Sequence, residues 1–258
     1  MDNWGLIMDA PSSGALNMAV DEAMLAALEA GAASGPSLRL YGWSEPAVSI
    51  GRNQDATAFA GTGMPVVRRI TGGRAVLHDA EVTYSIVCPA RHPLFDNGIA
   101  GAYKVISGCI IEALRGAGIH AELARPERAS GTKARDACFI SPSRYEVMVD
   151  GRKLAGSAQR RLKSAFLQHG SILLGVDAEA LGRVFGEEAA CALMKKIAWV
   201  GAYSPIDADG LRGLLLRGFR DGLSARFNER HLSGAEEYAR DGILKNGIEG
   251  TAPMTRTV

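Results

Sequence analysis

Apolar residues recur at every fourth position from Leu16 to Leu28, a pattern that predicts a helix with one apolar stripe. Ser12 or Ser13 can cap the start of this helix, and Gly31 can end it. The same periodicity predicts a second helix over residues 102–117. A third is expected from Leu211 to Leu223, inside a stretch of about 80 C-terminal residues that is mainly helical.

Between these helices the apolar period falls to two, which predicts short strands. The Asp150-Gly151 pair between two such strands is a strong signal for a hairpin turn. Because the strands cluster in the middle and connect by hairpins, we expect an α+β fold, with a mixed, largely antiparallel sheet and flanking helices. The strands are predicted at residues 38–41, 47–50, 65–70, 82–86, 145–149, 153–154 and 166–174.

Length and composition narrow the class of protein. The chain has 258 residues, of which 47% are hydrophobic and 22% are charged, and this suits one domain over 1–258. We expect the C-terminal part from about residue 205 to be helical and the tail 250–258 to be frayed. A net charge of +1 argues against a nucleic-acid partner. We expect a cytoplasmic protein without a membrane partner, because no apolar run reaches the ~18 residues of a membrane span and the N-terminus lacks a basic signal region.

Three segments carry candidate chemistry, and the first is the arginine- and glycine-rich stretch 68–79. Its paired glycines allow backbone amides to approach a ligand closely, and its arginines can bind a carboxylate or phosphate. The alternative is a hairpin loop with solvated arginines. The candidate residues are Arg69, Gly72, Gly73, Arg74 and His78.

The second segment follows the predicted hairpin, where Lys153 precedes the small residues Gly156, Ser157 and Ala158. Small residues let a substrate chain lie against the backbone, and a lysine in a partly dry pocket can transfer protons or polarise a carbonyl. The alternative is a surface lysine on an edge strand.

The third segment contains Cys138, close in sequence to Lys133 and Arg135. Nearby positive charge favours the thiolate, which can attack a thioester. The alternative is a small buried residue, which is also our expectation for Cys88, Cys109 and Cys191. No two cysteines are spaced as CxxC, so we expect no metal site.

Taken together, these segments resemble the biotin/lipoate protein ligase superfamily. The carrying stretches are residues 17–22, 49–54, 68–79, 151–159 and 168–171, in the order in which the family has them. The resemblance implies a catalytic domain related to those of class II aminoacyl-tRNA synthetases and biotin ligases. It also implies a slot for an acyl chain, lined by the glycine loop, Lys153, residues 156–158, and His169, Gly170 and Ser171.

Within the superfamily, two features favour a cysteine-dependent octanoyltransferase of the Gram-positive type. The segment around Cys138 looks like its acyl-cysteine site, and Arg74 stands where ATP-dependent ligases usually have a third glycine. The resemblance then implies transfer of octanoate from acyl carrier protein to a lysine of a lipoyl domain, either glycine cleavage H protein or 2-oxoacid dehydrogenase E2. Cys138 and Lys153 would be catalytic, and no cofactor would be needed.

Three alternatives remain open at this point. An ATP-dependent lipoate–protein ligase would use ATP and Mg²⁺ and would not need Cys138. An amidotransferase between carrier domains would form an acyl-cysteine with H protein as the donor. A non-catalytic lipoate-binding protein would bind without turnover.

Overall fold

A computed structural model describes residues 1–124 and 145–247. Among these residues are eleven strands and seven helices. The strands are β1 (Asp2–Met8), β2 (Ser37–Tyr41), β3 (Ala47–Ile50), β4 (Val66–Arg68), β5 (Val76–His78), β6 (Glu81–Pro89), β7 (Glu122–Leu123), β8 (Val147–Val149), β9 (Arg152–Arg161), β10 (Ala165–Leu173) and β11 (Ala225–Glu229). The helices are α1 (Gly14–Glu29), α2 (Pro93–Asp96), α3 (Gly98–Gly116), α4 (Ala178–Phe185), α5 (Glu187–Met194), α6 (Ala208–Gly222) and α7 (Gly234–Asn246).

The strands form one large and one small sheet. The large sheet has eight strands in the order β11-β1-β2-β6-β10-β9-β8-β7, and the small sheet has the order β4-β3-β5. Strand β1 pairs in parallel with β2 and β11, β3 pairs in parallel with β4, and the other pairs are antiparallel. The predicted α+β class with a mixed, largely antiparallel sheet is confirmed.

The helix predicted after Ser12 or Ser13 is α1. The Ser13 hydroxyl accepts a hydrogen bond from the amide of Leu16, and Gly31, with φ of 73°, follows the end of the helix. Apolar residues of α1 such as Val20 and Met24 pack against β6 and β10. The helix therefore covers one face of the large sheet near its centre.

The central strand β6 corrects the expectation that residues 82–86 are half-buried, because all nine of its residues are buried. Its even positions, such as Tyr84 and Ile86, pack in the core with α3 and α6. Its odd positions include Glu81 and Thr83, which are polar and nevertheless buried. The alternation in sequence thus separates an apolar face from an internal polar face, and neither face meets solvent.

The hairpin predicted at Asp150-Gly151 is confirmed, since both residues have positive φ, at 50° and 71°, between β8 and β9. The expectation of a mainly helical C-terminal part holds for α4 to α7 but misses β11. Neither β11 nor β1 was predicted, although they pair with each other from opposite ends of the chain. The predicted frayed tail 250–258 lies outside the described residues.

Within the two described ranges, no helix combines the length and apolar character needed to cross a membrane.

Candidate functional site

A pocket lies where the small sheet meets strands β9 and β10 of the large sheet. Its volume is about 480 Å³, including the part open to solvent. Nine of the thirteen residues predicted as site residues line it. They are Arg69, His78, Lys153, Gly156, Ser157, Ala158, His169, Gly170 and Ser171.

Three of the other four predicted residues lie outside the pocket wall. Gly72, Gly73 and Arg74 form the glycine loop but are not among the residues that line the pocket. Cys138 lies outside the described residues. The pocket also contains residues that sequence reasoning did not single out, namely Met18, Tyr41, Trp43, Ser49, Val76 and Thr83.

Lys153 is a buried residue of the pocket wall. Its ammonium Nζ lies 2.5 Å from Oε1 of Glu146, and both side chains are at most 5% exposed. Strand β9 lies between β8 and β10, so the alternative of a surface lysine on an edge strand is wrong. A buried charge needs a partner, and Glu146 supplies it.

Gly170 allows strands β9 and β10 to lie close together at the pocket. A Cβ atom at Gly170 would lie 2.5 Å from the carbonyl oxygen of Gly156 and 2.6 Å from Oγ of Ser157. Ser157 in turn is 2.7 Å from the hydroxyl of Tyr84. Burial raises the pKa of Tyr84 to about 12, so its hydroxyl remains protonated and available as a donor.

Arg68 and Arg69 of the glycine loop bind backbone carbonyl groups of the loop and of the segment 49–54. The guanidinium of Arg69 donates to the carbonyl oxygens of Ser49, Gly72 and Arg74, at 2.9, 2.9 and 2.6 Å. Arg68 donates to three carbonyl oxygens at residues 51, 52 and 54. The alternative of solvated arginines is wrong for Arg69, which is 4% exposed. A role for these residues in binding substrate stays a prediction.

A buried chain of polar groups runs from α1 to the glycine loop. Asp21 accepts hydrogen bonds from Arg39 at 2.9 Å and from Tyr41 at 3.0 Å, and it lies 2.9 Å from Nδ1 of His169. Nε2 of His169 lies 2.8 Å from the hydroxyl of Thr71. Burial by itself raises the pKa of Asp21, but the hydrogen bond with His169 and the charge of Arg39 hold it below its ordinary value.

A second chain of the same kind also reaches the pocket. Oε1 of Glu81 is 2.8 Å from Nδ1 of His78, and Nε2 of His78 is 2.7 Å from Oγ of Ser49. Trp43 stacks on His78, with ring centroids 3.9 Å apart. The apolar periodicity of the sequence did not identify these partners. Polar residues within the otherwise apolar elements α1 and β6 could have indicated them.

Two of the other cysteines have buried, unreactive thiols. Cys88 and Cys109 are buried, as expected, and burial raises the pKa of each thiol to about 12. Cys191 is exposed on α5, so its interpretation as a buried residue was wrong. Within α5, Ala190 and Leu193 are the buried residues, and Cys191 lies on the exposed part of the helix surface.

The comparisons with known proteins identify the family. The sequence profile of the lipoyl protein ligase A/B catalytic domain matches residues 13–220. The chain belongs to this family. The match contains every residue that lines the pocket, as well as Cys138. The resemblance inferred from the sequence motifs is therefore confirmed.

Two relatives match over nearly their full length. The chain is 39% identical to Octanoyltransferase LipM of Kyrpidia tusciae, over 95% of this chain and 96% of that protein. It is 37% identical to Octanoyltransferase LipM of Anoxybacillus flavithermus, over 95% of each.

Solved structures of lipoate–protein ligases have the same fold. Lipoate-protein ligase A bound with ATP matches with a TM-score of 0.78 and 24% identity, over 95% of each chain. A bi-partite lipoate protein ligase from Thermoplasma acidophilum matches with a TM-score of 0.76 and 23% identity, over 95% of this chain and 93% of that one. At these identities the likeness concerns the fold alone.

Proposed function

We propose that this protein transfers an octanoyl group from acyl carrier protein, through a thioester on Cys138, to a lysine of a lipoyl carrier domain. The observation that carries the proposal is the buried ammonium of Lys153 in a pocket lined largely by apolar and small residues. Two near-full-length relatives that are named octanoyltransferases support the same reaction.

The pocket suits a short acyl chain. Its wall combines apolar side chains, including Met18, Trp43 and Val76, with the small residues Gly156 and Ala158. Each methylene buried there would contribute ~0.8 kcal/mol. Residues 156–158 belong to strand β9, so this part of the pocket wall is a regular sheet surface.

Cys138 is the thiol that we assign to the covalent step. Its segment rejoins the described chain at Tyr145, next to Glu146, whose carboxylate contacts Lys153. Tyr145 is the seventh residue after Cys138, and seven residues of extended chain span at most about 25 Å. The high thiol pKa of Cys88 and Cys109 removes them as competing nucleophiles.

The reaction then has two balanced halves. In the first, Cys138 gives up its thiol proton and the thiolate attacks the donor thioester, the bond between the carbonyl carbon and the donor sulfur breaks, and the donor leaves as a thiol that has taken up this proton. In the second, the acceptor amine attacks the acyl-cysteine, an amide bond forms, the bond between the carbonyl carbon and the Cys138 sulfur breaks, and a proton of the amine passes to that sulfur. We assign to Lys153 the polarisation of the carbonyl or the transfer of these protons. Two halves of this kind give ping-pong kinetics.

The proposed partners are acidic proteins, and a basic surface near the pocket would help to bind them. Arg152, Arg160, Arg161 and Lys163 were candidates for such a patch. Three of them are half-buried, and each of the three donates to the protein itself. Lys163 is exposed. A docking role for this group is part of the proposal, together with acyl carrier protein as donor and H protein or an E2 domain as acceptor.

The test is intact-mass spectrometry after incubation with octanoyl-acyl carrier protein in the absence of ATP. We expect a gain of one octanoyl group, its loss in Cys138→Ala, and its retention in the control Cys191→Ala. Addition of a lipoyl domain should then discharge the acyl-enzyme. Retention of the adduct in Cys138→Ala would overturn the assignment of the nucleophile.

The same assay separates the alternatives. An unmodified protein that acylates a lipoyl domain only with lipoate, ATP and Mg²⁺ would be an ATP-dependent ligase. Acylation by octanoyl-H protein but not by octanoyl-acyl carrier protein would indicate an amidotransferase.

A further inference from the structure

The carboxylate of Glu81 lies at the centre of the polar chain that contains His78. Its Oε1 atom accepts hydrogen bonds from the hydroxyls of Thr83 at 2.6 Å and Ser171 at 2.7 Å, and it is 2.8 Å from Nδ1 of His78. Glu81 is 5% exposed. Oε1 of Glu81 thus makes three contacts, two of which are hydrogen bonds donated by hydroxyl groups.

These contacts determine which nitrogen of His78 carries a proton. Because Oε1 of Glu81 acts as an acceptor, Nδ1 of His78 must be the donor. Neutral imidazole then has its lone pair on Nε2, which accepts from the hydroxyl of Ser49 at 2.7 Å. The oxygen of Ser49 is left to accept from Nη1 of Arg69 at 3.0 Å. The direction of every bond from Glu81 to the glycine loop follows from one carboxylate oxygen.

The plane of the His78 ring is fixed by stacking contacts that lead back to Glu81. Trp43 stacks on His78 with an angle of 10° between the rings. The indole N–H of Trp43 donates to Oγ1 of Thr83 at 2.9 Å, and Thr83 donates to Glu81. Stacking and hydrogen bonding therefore close into a ring of contacts, and His78 and Trp43 both line the pocket.

We propose that Glu81 is a positioning residue, which holds His78 in the tautomer protonated on Nδ1 and thereby orients Ser49 and Arg69 at the pocket wall. Glu81 acts through His78 and is not among the residues that line the pocket. The inference rests on the proposed function, since it concerns the pocket that would receive the acyl group. Its structural part, the tautomer, can be measured whether or not acyl transfer occurs.

The first test is NMR of the imidazole groups after selective ¹⁵N-histidine labelling, which is practical because the chain has five histidines. His78 is assigned by loss of its signals in His78→Gln. We expect the wild-type ring to carry its proton on Nδ1 and to accept at Nε2. A proton on Nε2, either alone or together with one on Nδ1, would overturn the proposal.

Variants test which group sets the tautomer. Glu81→Leu removes the acceptor, and we expect the Nδ1–H tautomer to be lost. Glu81→Gln keeps an acceptor oxygen and should retain it, as should Ser49→Ala, because Glu81 remains in place. Ser85→Ala is the matched control, since Ser85 is buried on the same face of β6 and makes no side-chain hydrogen bond among the described residues. An unchanged tautomer in folded Glu81→Leu, or its loss in Ser85→Ala, would contradict the proposal.

The functional test is the rate of acyl-enzyme formation per acylatable site, counted by mass. We expect Glu81→Leu to lower this rate roughly 10- to 100-fold, with the rate largely restored in Glu81→Gln. A purely structural role would reduce the number of active sites but leave the rate per site unchanged, and this result would refute positioning. If the wild-type protein forms no acyl-enzyme at all, the proposed function fails, whereas the NMR result still decides the role of Glu81.

Discussion

The ammonium of Lys153 lies 2.5 Å from a carboxylate oxygen of Glu146, and both side chains are buried. Glu146 directly follows the connection that contains Cys138, so the pair joins that connection to the pocket wall. Two opposite charges that are both buried stabilise each other, and removal of either one would leave the other unpaired at a large cost in free energy.

Removal of one member of this pair should therefore destabilise the protein. We expect Lys153→Met or Glu146→Gln to lower the free energy of unfolding by about 3–5 kcal/mol. The double variant should lose less than the sum of the two, because it leaves no unpaired charge. Urea denaturation measures these differences, and the exposed Lys195 provides the control Lys195→Met. Additive losses in the double variant would show that the two groups do not interact.

A methyl group at Gly170 should disturb both stability and activity. Its Cβ would lie 2.5 Å from the carbonyl oxygen of Gly156 on the neighbouring strand, a backbone atom that cannot turn away as a side chain can. We expect Gly170→Ala to cost about 1–3 kcal/mol and to reduce acyl-enzyme formation. Gly108→Ala is the comparison, because nothing lies within 4 Å of its added Cβ and alanine favours the helix. Equal stability of the two variants would refute the close approach of β9 and β10.

The cysteines should differ sharply in reactivity. With a pKa of about 12, the thiols of Cys88 and Cys109 are ionised in only about one molecule in 10,000 at pH 8. Iodoacetamide should therefore label two sites in the native protein, Cys138 and Cys191. Peptide mapping should show one site in Cys138→Ala and none in the variant that also carries Cys191→Ala. Rapid labelling of Cys88 or Cys109 in the folded protein would contradict their burial.

Local sequence patterns predicted much of the fold. The fourfold recurrence in α1, the twofold recurrence in β6 and the turn pair Asp150-Gly151 each specify an element through neighbouring residues. Strands β1 and β11 were not predicted, because they pair with each other although more than 200 residues of sequence separate them. The exposed charges of β11 also hide its alternation. Pairing over such a distance leaves no local signal.

The site was predictable as a set of motifs, but its connections were not. The glycine loop, Lys153 and His169 stand in recognisable stretches of sequence. Their partners Asp21, Glu81 and Glu146 are acidic residues whose burial follows from three-dimensional packing. Sequence periodicity assigns such residues to a solvated face, since a charge is rarely buried unless it is paired. The pairing becomes visible only when the helices and strands that carry the partners are placed together.

Stability should depend on pH through Asp21. The pKa of Asp21 is lower in the folded protein than its ordinary value of 3.8, because the hydrogen bond with His169 and the charge of Arg39 outweigh the effect of burial. A depressed pKa contributes stability that is present at pH above 3.8 and is lost as the pH falls through the lower, folded-state value. Asp21→Asn should therefore be clearly less stable than the wild type at pH 7, and this difference should shrink below about pH 4. Asp209→Asn, at an exposed position, is the control. Unfolding free energies of the three proteins between pH 3 and pH 7 measure the effect, and a difference that stays constant over this range would show that the ionised form of Asp21 is not the source of the stability.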